Sequence, residues 1–295
     1  MVDIRMPELH VGRGTHVGPI SVFPVWAAGR QVRGLRTGGS SGVLVTERED
    51  GPAVGELDVH NRTDEPVLLL AGELFEGGWQ HRSLVHDVVL AAGERAVVEV
   101  SCVEQGRWRG STQQVRRGHR ASVRVAMAQT VGAFDRQSAV WEQVRHYDHE
   151  FGGAATGTYL HHLTRPASEP MSVAVLDGQR GVIVGVAGRP VFLEMFPTTR
   201  SLRGQLTALL QSLAVDAAAL PAGPTPERRA RRFVSQLLSD PATAAALGVD
   251  SAAAAGSGRP VLAQSSRYDL RGVAWDEQIA HVRVIDLTHP LTLAA

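Results

Sequence analysis

The chain has a single cysteine, no lysine, few aromatic residues and no net charge, and each shortage closes off a class of function. With Cys102 alone, an internal disulfide cannot form, and a reducing compartment is the natural setting. All 30 basic residues are arginine, so Schiff-base or nucleophilic chemistry on a lysine of this chain is excluded. Thirty acidic residues balance them, leaving no whole-molecule field to draw in nucleic acid or a membrane surface. No stretch approaches the ~18 apolar residues of a membrane span. The first dozen residues carry Asp3, Arg5 and Glu8 where a secretion signal needs an apolar run, so a cytoplasmic location is expected. There is no G-x-G-x-x-G after a strand, no phosphate loop, no G-x-S-x-G elbow and no paired C-x-x-C, and the sequence therefore names no cofactor.

What is present is the composition of a folded protein, with 43% apolar and 20% charged residues over 295 positions. The first hundred residues read as short β-branched runs separated by turn residues: 42–47, 54–60, 66–75, 83–90 and 96–103. Their spacing predicts antiparallel pairing in a sandwich or half-barrel. A helical period takes over from Ala121 to Phe151, with Gly132 and Asp135 placed to break it in two. Beyond it, strands are predicted at 171–176, 181–186 and 190–196. A helix capped by Thr199 carries Leu202, Leu206, Leu209, Leu210 and Leu213, and a second spans Glu227 to Leu238. A further short helix is expected to close at Gly248, and 249–258 reads as a loop. Strand character returns at 261–266, 270–275 and 279–287. The fold class is α+β: a β-rich domain over 1–151 ending in a long helix, a linker over 152–170, and a second antiparallel sheet with helices on one face over 171–295. One continuous domain is the alternative.

Polar residues concentrate in one place. Glu73, Glu76, Gln80, His81 and Arg82 bracket Gly77-Gly78, with His86 close behind and Glu104-Gln105-Gly106-Arg107-Trp108-Arg109 after the next strand. The double glycine permits positive φ and close approach of a ligand or backbone. Period-two alternation places Ala96, Val98, Val100, Cys102 and Glu104 on one apolar strand face, which makes Cys102 a buried core thiol and leaves Glu104 at the strand's end, beside solvent or a cleft. By the same alternation His86 shares a core-facing parity with Leu84, Val88 and Leu90. Glu73, His81, His86 and Glu104 are candidate metal ligands by type, in a spacing that matches no metal motif, so metal dependence stays open. Between Glu104 and Asp135 there is no acid, and Arg107, Arg109, Arg116, Arg117, Arg120 and Arg124 cluster there, with forks suited to phosphate or carboxylate.

These residues resemble a family of uncharacterised prokaryotic proteins named for association with ADP-ribosylglycohydrolases and rhodanese-phosphatases. Asn61, Pro66 to Glu73, Gly77-Gly78 with Gln80 and Arg82, and Val100 to Trp108 carry the resemblance, which continues more weakly through 181–196 and 279–282. Where the family usually reads Gly-Gly-Lys-Gln-Asn-Arg, this chain has Gly77-Gly78-Trp79-Gln80-His81-Arg82. The name implies a setting in NAD or ADP-ribose metabolism. Two functions follow as expectations. One is a binding or accessory protein for a small anionic, nucleotide-like or ADP-ribose-like ligand or for a partner enzyme, using Gly77, Gly78, Gln80, Arg82, His86, Arg107, Trp108 and Arg109. The alternative is a hydrolase of the same ligand class, with Glu73, Glu76 or Glu104 as base, His81 or His86 as acid or metal ligand, and Arg82 or Arg107 as anion clamp. A purely structural interaction module is a third.

Overall fold

The computed structural model describes residues 4–293 apart from 40, 52, 131, 165–172, 219, 222, 246 and 250–254. Three strands, β1 (Leu9–Val11), β2 (Thr15–Val17) and β3 (Ile20–Ala27), come first. They are followed by β4 (Arg36–Thr37), β5 (Val43–Thr46), β6 (Glu56–Asn61), β7 (Val67–Leu69), β8 (Leu74–Gly77), β9 (Arg82–Leu84), β10 (Val88–Leu90), β11 (Arg95–Cys102) and β12 (Gln113–Val115). Helices α1 (Val123–Ala128), α2 (Ala133–Phe151) and α3 (Leu160–Leu163) lead to β13 (Gly181–Val186) and β14 (Arg189–Met195). Then come α4 (Thr199–Ala217), α5 (Glu227–Ser239) and α6 (Pro241–Ala244). The chain ends with β15 (Gly248–Val249), β16 (Arg259–Gln264), β17 (Tyr268–Trp275), β18 (Gln278–Asp286) and α7 (Pro290–Leu293). Among the described residues no helix is long and apolar enough to cross a membrane.

The α+β class holds, and the N-terminal sheet goes further than a half-barrel: β11-β6-β5-β12-β8-β9 closes on itself. Closure works because β11 is long enough to serve two neighbours, its first half pairing with β6 and its last three residues with β9. Leu57, Val59, Phe75, Leu84, Val98 and Val100 fill the interior. The apolar runs 66–75 and 83–90, each read as one strand, are both broken. Glu73 N–H closes a turn on Leu70 O at 2.9 Å, and Asp87 Oδ1 accepts from Ala71 N–H at 2.7 Å. Their outer halves, β7 and β10, leave the barrel to pair with each other, and β4 joins β7 in parallel. A continuous apolar run carries no mark of such a bend, because both halves are buried.

The second sheet runs β1-β3-β13-β14-β18-β17-β16-β15, with β2 also on β3. Its first strands come from the N-terminus: β3 pairs antiparallel with β13 over residues 20–25 and 181–186. Helices were expected on one face, whereas α4 covers one face and α5 the other. The cause is β13, whose GVIVGV is apolar in both parities: Val182 and Val184 pack with Leu202, Leu206 and Leu213 of α4, while Ile183 packs in the cluster of Phe233, Val234 and Leu237 of α5. The barrel half meets the sheet on the α4 face, where Leu68, Leu70 and Val89 join Phe192, Val273 and Ile285.

Smaller corrections concern ends. The cap of α4 is Thr198, whose side chain accepts from Ser201 N–H; Thr199 is the first helical residue. The short helix α6 stops at Ala244, and Gly248 starts a strand that pairs with β16. Of the predicted strand 171–176, residues 171 and 172 lie outside the described residues and 173–176 are not in a strand. Residues 165–170 of the expected linker and 250–254 of the expected loop also lie outside the described residues, as does Val131 of the helical pattern. Gly132 does part α1 from α2.

Candidate functional site

The double-glycine loop joins β8 to β9 at one end of the barrel. Gly77 and Gly78 have φ of +92° and +53°. A Cβ on Gly78 would lie 1.9 Å from Gln114 Nε2 and 2.7 Å from Glu47 Oε1, so glycine is required there for space as well as for φ. Glu104, at the end of β11, is buried beneath the loop. It accepts from Arg107 Nη2 at 2.7 Å and Nε at 3.0 Å, and from the His81 backbone N–H at 3.1 Å. Arg107 in turn donates to Gly78 O at 2.7 Å and Gly77 O at 3.0 Å, which ties the glycine turn to the carboxylate. Burial raises the Glu104 carboxyl's pKa, but the Arg107 hydrogen bonds and neighbouring His81 outweigh it, and the group titrates below its ordinary range. Gly77 N–H donates to His81 Nδ1 at 2.9 Å, leaving the neutral ring its proton on Nε2, 3.6 Å from Glu104. Burial then lowers the His81 pKa, with Glu104 opposing it and Arg107 assisting it.

Inside the same barrel end, Arg82 and Cys102 are direct cross-strand neighbours. Both are fully buried, as the alternation of β11 requires for Cys102. Gln80 bridges them, its Oε1 accepting from Arg82 Nη1 at 2.8 Å and from the Cys102 thiol at 3.0 Å. Burial pushes the thiol pKa up to about 11, so Cys102 stays protonated and inert. Trp79 and Trp108 pack edge to face at 5.6 Å, and the Arg82 guanidinium lies 5.4 Å from the Trp108 ring centroid.

The remaining residues singled out by sequence are divided among separate ion pairs. Glu73 accepts from Arg116 Nε at 2.9 Å, with both side chains buried, and Arg116 Nη1 donates to Ser41 Oγ at 2.6 Å. Glu76 lies between Arg117 at 3.2 Å and His119 at 2.7 Å. Arg124 lies beside the buried Asp216. Arg109 is exposed, with only its backbone engaged, to Trp79 O and Arg107. His86 is not in the core: it faces Glu99 at 3.1 Å, and Glu99 also pairs with Arg136. That hydrogen bond from His86, together with Arg136 and against partial burial, takes the Glu99 carboxyl down to about 2. Glu104, His81, Arg107, Gln80 and Arg82 are thus brought together with the glycines, while Glu73, Glu76 and His86 each stand in another pairing. Glu73, Glu76 and Glu104 each have an arginine partner. Among the described residues no group of three or more His, Cys, Asp or Glu side chains is arranged to hold a metal ion.

A second polar centre, which the sequence reading missed, lies where the barrel half meets the large sheet. His281 of β18 has Nδ1 2.6 Å from Asp87 Oδ2 and Nε2 2.9 Å from Glu194 Oε1. Ionised carboxylates accept and cannot donate, so a ring protonated on both nitrogens satisfies the two contacts together. Burial opposes that charge, but Asp87 and Glu194 prevail and raise its pKa above the ordinary value. Glu194 is fully buried and also accepts from Arg120 Nη1 at 2.7 Å and Arg283 Nη2 at 2.8 Å. Despite complete burial, those guanidinium groups hold it well below the usual carboxylate range. One signal pointed here: Glu194 alternates with Phe192 and Phe196, and a charge at core parity demands partners. Their identity is not written near it in the chain.

Asp87, His281 and Arg283 line a partly open cleft enclosing about 70 Å³, bounded by residues of the barrel half, α1 and strands β16 to β18. Compared with curated proteins and with solved structures, the chain matches none. A family model described as "ARG and Rhodanese-Phosphatase-superfamily-associated Protein domain" matches residues 8–285, which takes in both sheets and both polar centres. Over nearly its whole length, then, the chain belongs to that family of associated-protein domains.

Proposed function

We propose that the protein is a binding or accessory protein for a small anionic ligand, held in the cleft between the barrel half and the large sheet. The observation that carries this reading is the charge of the cleft's floor. Asp87 and Glu194 supply two negative charges, whereas His281, Arg120 and Arg283 supply three positive ones, so one positive charge is left over beside a solvent-connected space. A low-dielectric wall magnifies such an excess. The hydrolase alternative needs an available carboxylate base, and Glu73, Glu76 and Glu104 are each committed to an arginine. The family's name, an associated protein, fits an accessory role beside an enzyme.

Thermal denaturation of the protein with and without ADP-ribose, adenine nucleotides, inorganic phosphate and small carboxylates is the test. A ligand at 100 times its Kd stabilises by about 2.7 kcal/mol, a shift of a few degrees. At least one anion should raise the midpoint while its uncharged analogue does not. If every anion leaves the midpoint where it was, or if purified protein turns over an ADP-ribose conjugate and Glu104→Gln abolishes that turnover, the reading fails.

A further inference from the structure

The cleft contains more than an excess of charge. On the sheet face that meets the barrel half, Glu194 pairs with Arg283 between β14 and β18, and Arg283 pairs with Arg271 between β18 and β17. Two arginines directly opposite each other on adjacent strands repel, and a plain sheet would avoid the arrangement. Each is only partly neutralised. Arg283 gives Nε and Nη2 to Glu194 Oε2, and Arg271 gives Nε to both oxygens of Asp269 at 2.9 and 3.2 Å. Among the described residues, Nη1 of Arg283 and both terminal nitrogens of Arg271 have no hydrogen-bond partner, and both residues line the cleft.

The remaining walls are of another character. Val85, Ala126, Pro260, Leu262 and Ile285 are the apolar part of the lining, beside the polar side chains of Gln129 and Thr130. A water needs about 10–15 Å³ by the same measure of space, so 70 Å³ holds roughly five waters' worth of ligand. An ADP-ribose or a nucleotide is larger than this enclosed space and would extend out through the open side of the cleft. A single carboxylate on a short apolar body meets both halves of the site, its oxygens on the Arg271–Arg283 pair and its carbons against the aliphatic wall.

We infer that the cleft is a binding site for a small monocarboxylate with an apolar body, of the size of a branched short-chain acid or a single-ring aryl acid, anchored by Arg271 and Arg283. The inference rests on the reading of the cleft as an anion site and specifies its ligand class. Arg271 is the cleaner handle, since its side chain is 40% exposed and Arg271→Gln leaves the buried network of Glu194 intact.

The experiment is calorimetric titration and thermal denaturation of the full chain with 3-methylbutanoate and benzoate, with their amides, with inorganic phosphate and with ADP-ribose, on wild type, Arg271→Gln and Arg271→Lys. The expected result is binding of one or both carboxylates, no binding of the amides, at least tenfold weaker affinity in Arg271→Gln and partial rescue in Arg271→Lys. Binding of phosphate or ADP-ribose in place of the carboxylates, lost in Arg271→Gln, overturns the ligand class while leaving the cleft an anion site. Carboxylate binding that Arg271→Gln does not weaken overturns the anchor. Silence from every anion overturns both this inference and the broader reading.

Discussion

The two polar centres of this protein are built in opposite ways. At the barrel mouth the partners are near in sequence: Glu104 and Arg107 are three residues apart, and Gly77, Gly78 and His81 lie within five residues. Glu104 and Arg107 are matched there and their hydrogen bonds close on the backbone of the glycine turn itself, while the buried Arg82 has Gln80 and the Trp108 ring beside it. At the cleft, Asp87 meets His281 across 194 residues of chain, and Arg120 meets Glu194 across 74. There the charges do not balance, and guanidinium nitrogens are left facing open space. A dense run of ionisable residues in a sequence can therefore be a lock that holds a turn in place, while the site with unspent bonding capacity is assembled from scattered residues. Buried ion pairs of the first kind add little net stability over an apolar replacement but are costly to break.

The largest test of this contrast is Glu194→Gln. Removing the charge leaves Arg120, Arg283 and imidazolium His281 without their common partner, and loss of one member of a buried ion pair costs about 3–5 kcal/mol. Urea denaturation should show that loss together with loss of ligand binding in whatever variant remains folded; a change below about 1 kcal/mol would mean that the cleft network is not the junction described above.

Gly78→Ala should come next, at about 3 kcal/mol, because a positive φ and a Cβ within 2 Å of Gln114 add strain to overpacking. Its effect should be confined to stability. Ligand affinity at the cleft, measured on the folded fraction, should match wild type, and a large affinity change would dissolve the distinction between the two centres.

A smaller effect follows from pH. Folding raises the His281 pKa above 6.5, with Asp87 and Glu194 favouring the charged ring against burial, while Arg120 shares Glu194 Oε1 with the ring and Arg283 takes Oε2. A group whose folded pKa is raised contributes stability that is complete below the unfolded pKa and disappears as pH climbs through the folded one. Stability should thus decline from about pH 6.5 upward more steeply in wild type than in His281→Gln, as followed by urea midpoints across pH 6 to 9. Parallel profiles would show that the ring is not the charged link.

The smallest is Cys102→Ala, on the order of 1 kcal/mol for a small buried side chain. With its pKa near 11, the native thiol should react with a thiol reagent only at the rate of unfolding. Rapid modification of native protein would place the barrel mouth in the open, as a site and not a lock.

Much of the secondary structure could be read from the chain because it follows local periodicity. Gly181–Val186 and Glu227–Ser239 match their predicted spans closely, and Gly132 divides the helical stretch as its position suggests. The buried face of β11, with Val98, Val100 and Cys102, is also a matter of simple alternation. Legibility ended where a run of apolar residues bends. Nothing in Leu68 to Leu74 marks the corner at Gly72 except a glycine among many, and the parity that put His86 in the core assumed a straight strand through Val85 to Asp87. That corner brings Asp87 under the sheet and turns His86 out toward Glu99.

By itself the sequence determined what its chemistry permits: no internal disulfide, no lysine catalysis, an antiparallel α+β fold, a buried thiol and a glycine turn open to positive φ. These are properties of residue type and of neighbours along the chain. Only the tertiary structure decided which arginine meets which acid. The run from Arg107 to Arg124 looked like one basic surface, yet in the fold all of its arginines but the exposed Arg109 lie against Glu104, Glu73, Glu76, Glu194 and Asp216, and the guanidinium groups that line the cleft belong to Arg271 and Arg283. Ion pairing depends on separations of a few ångströms between strands far apart in sequence, and charge patterning along the chain does not encode those separations.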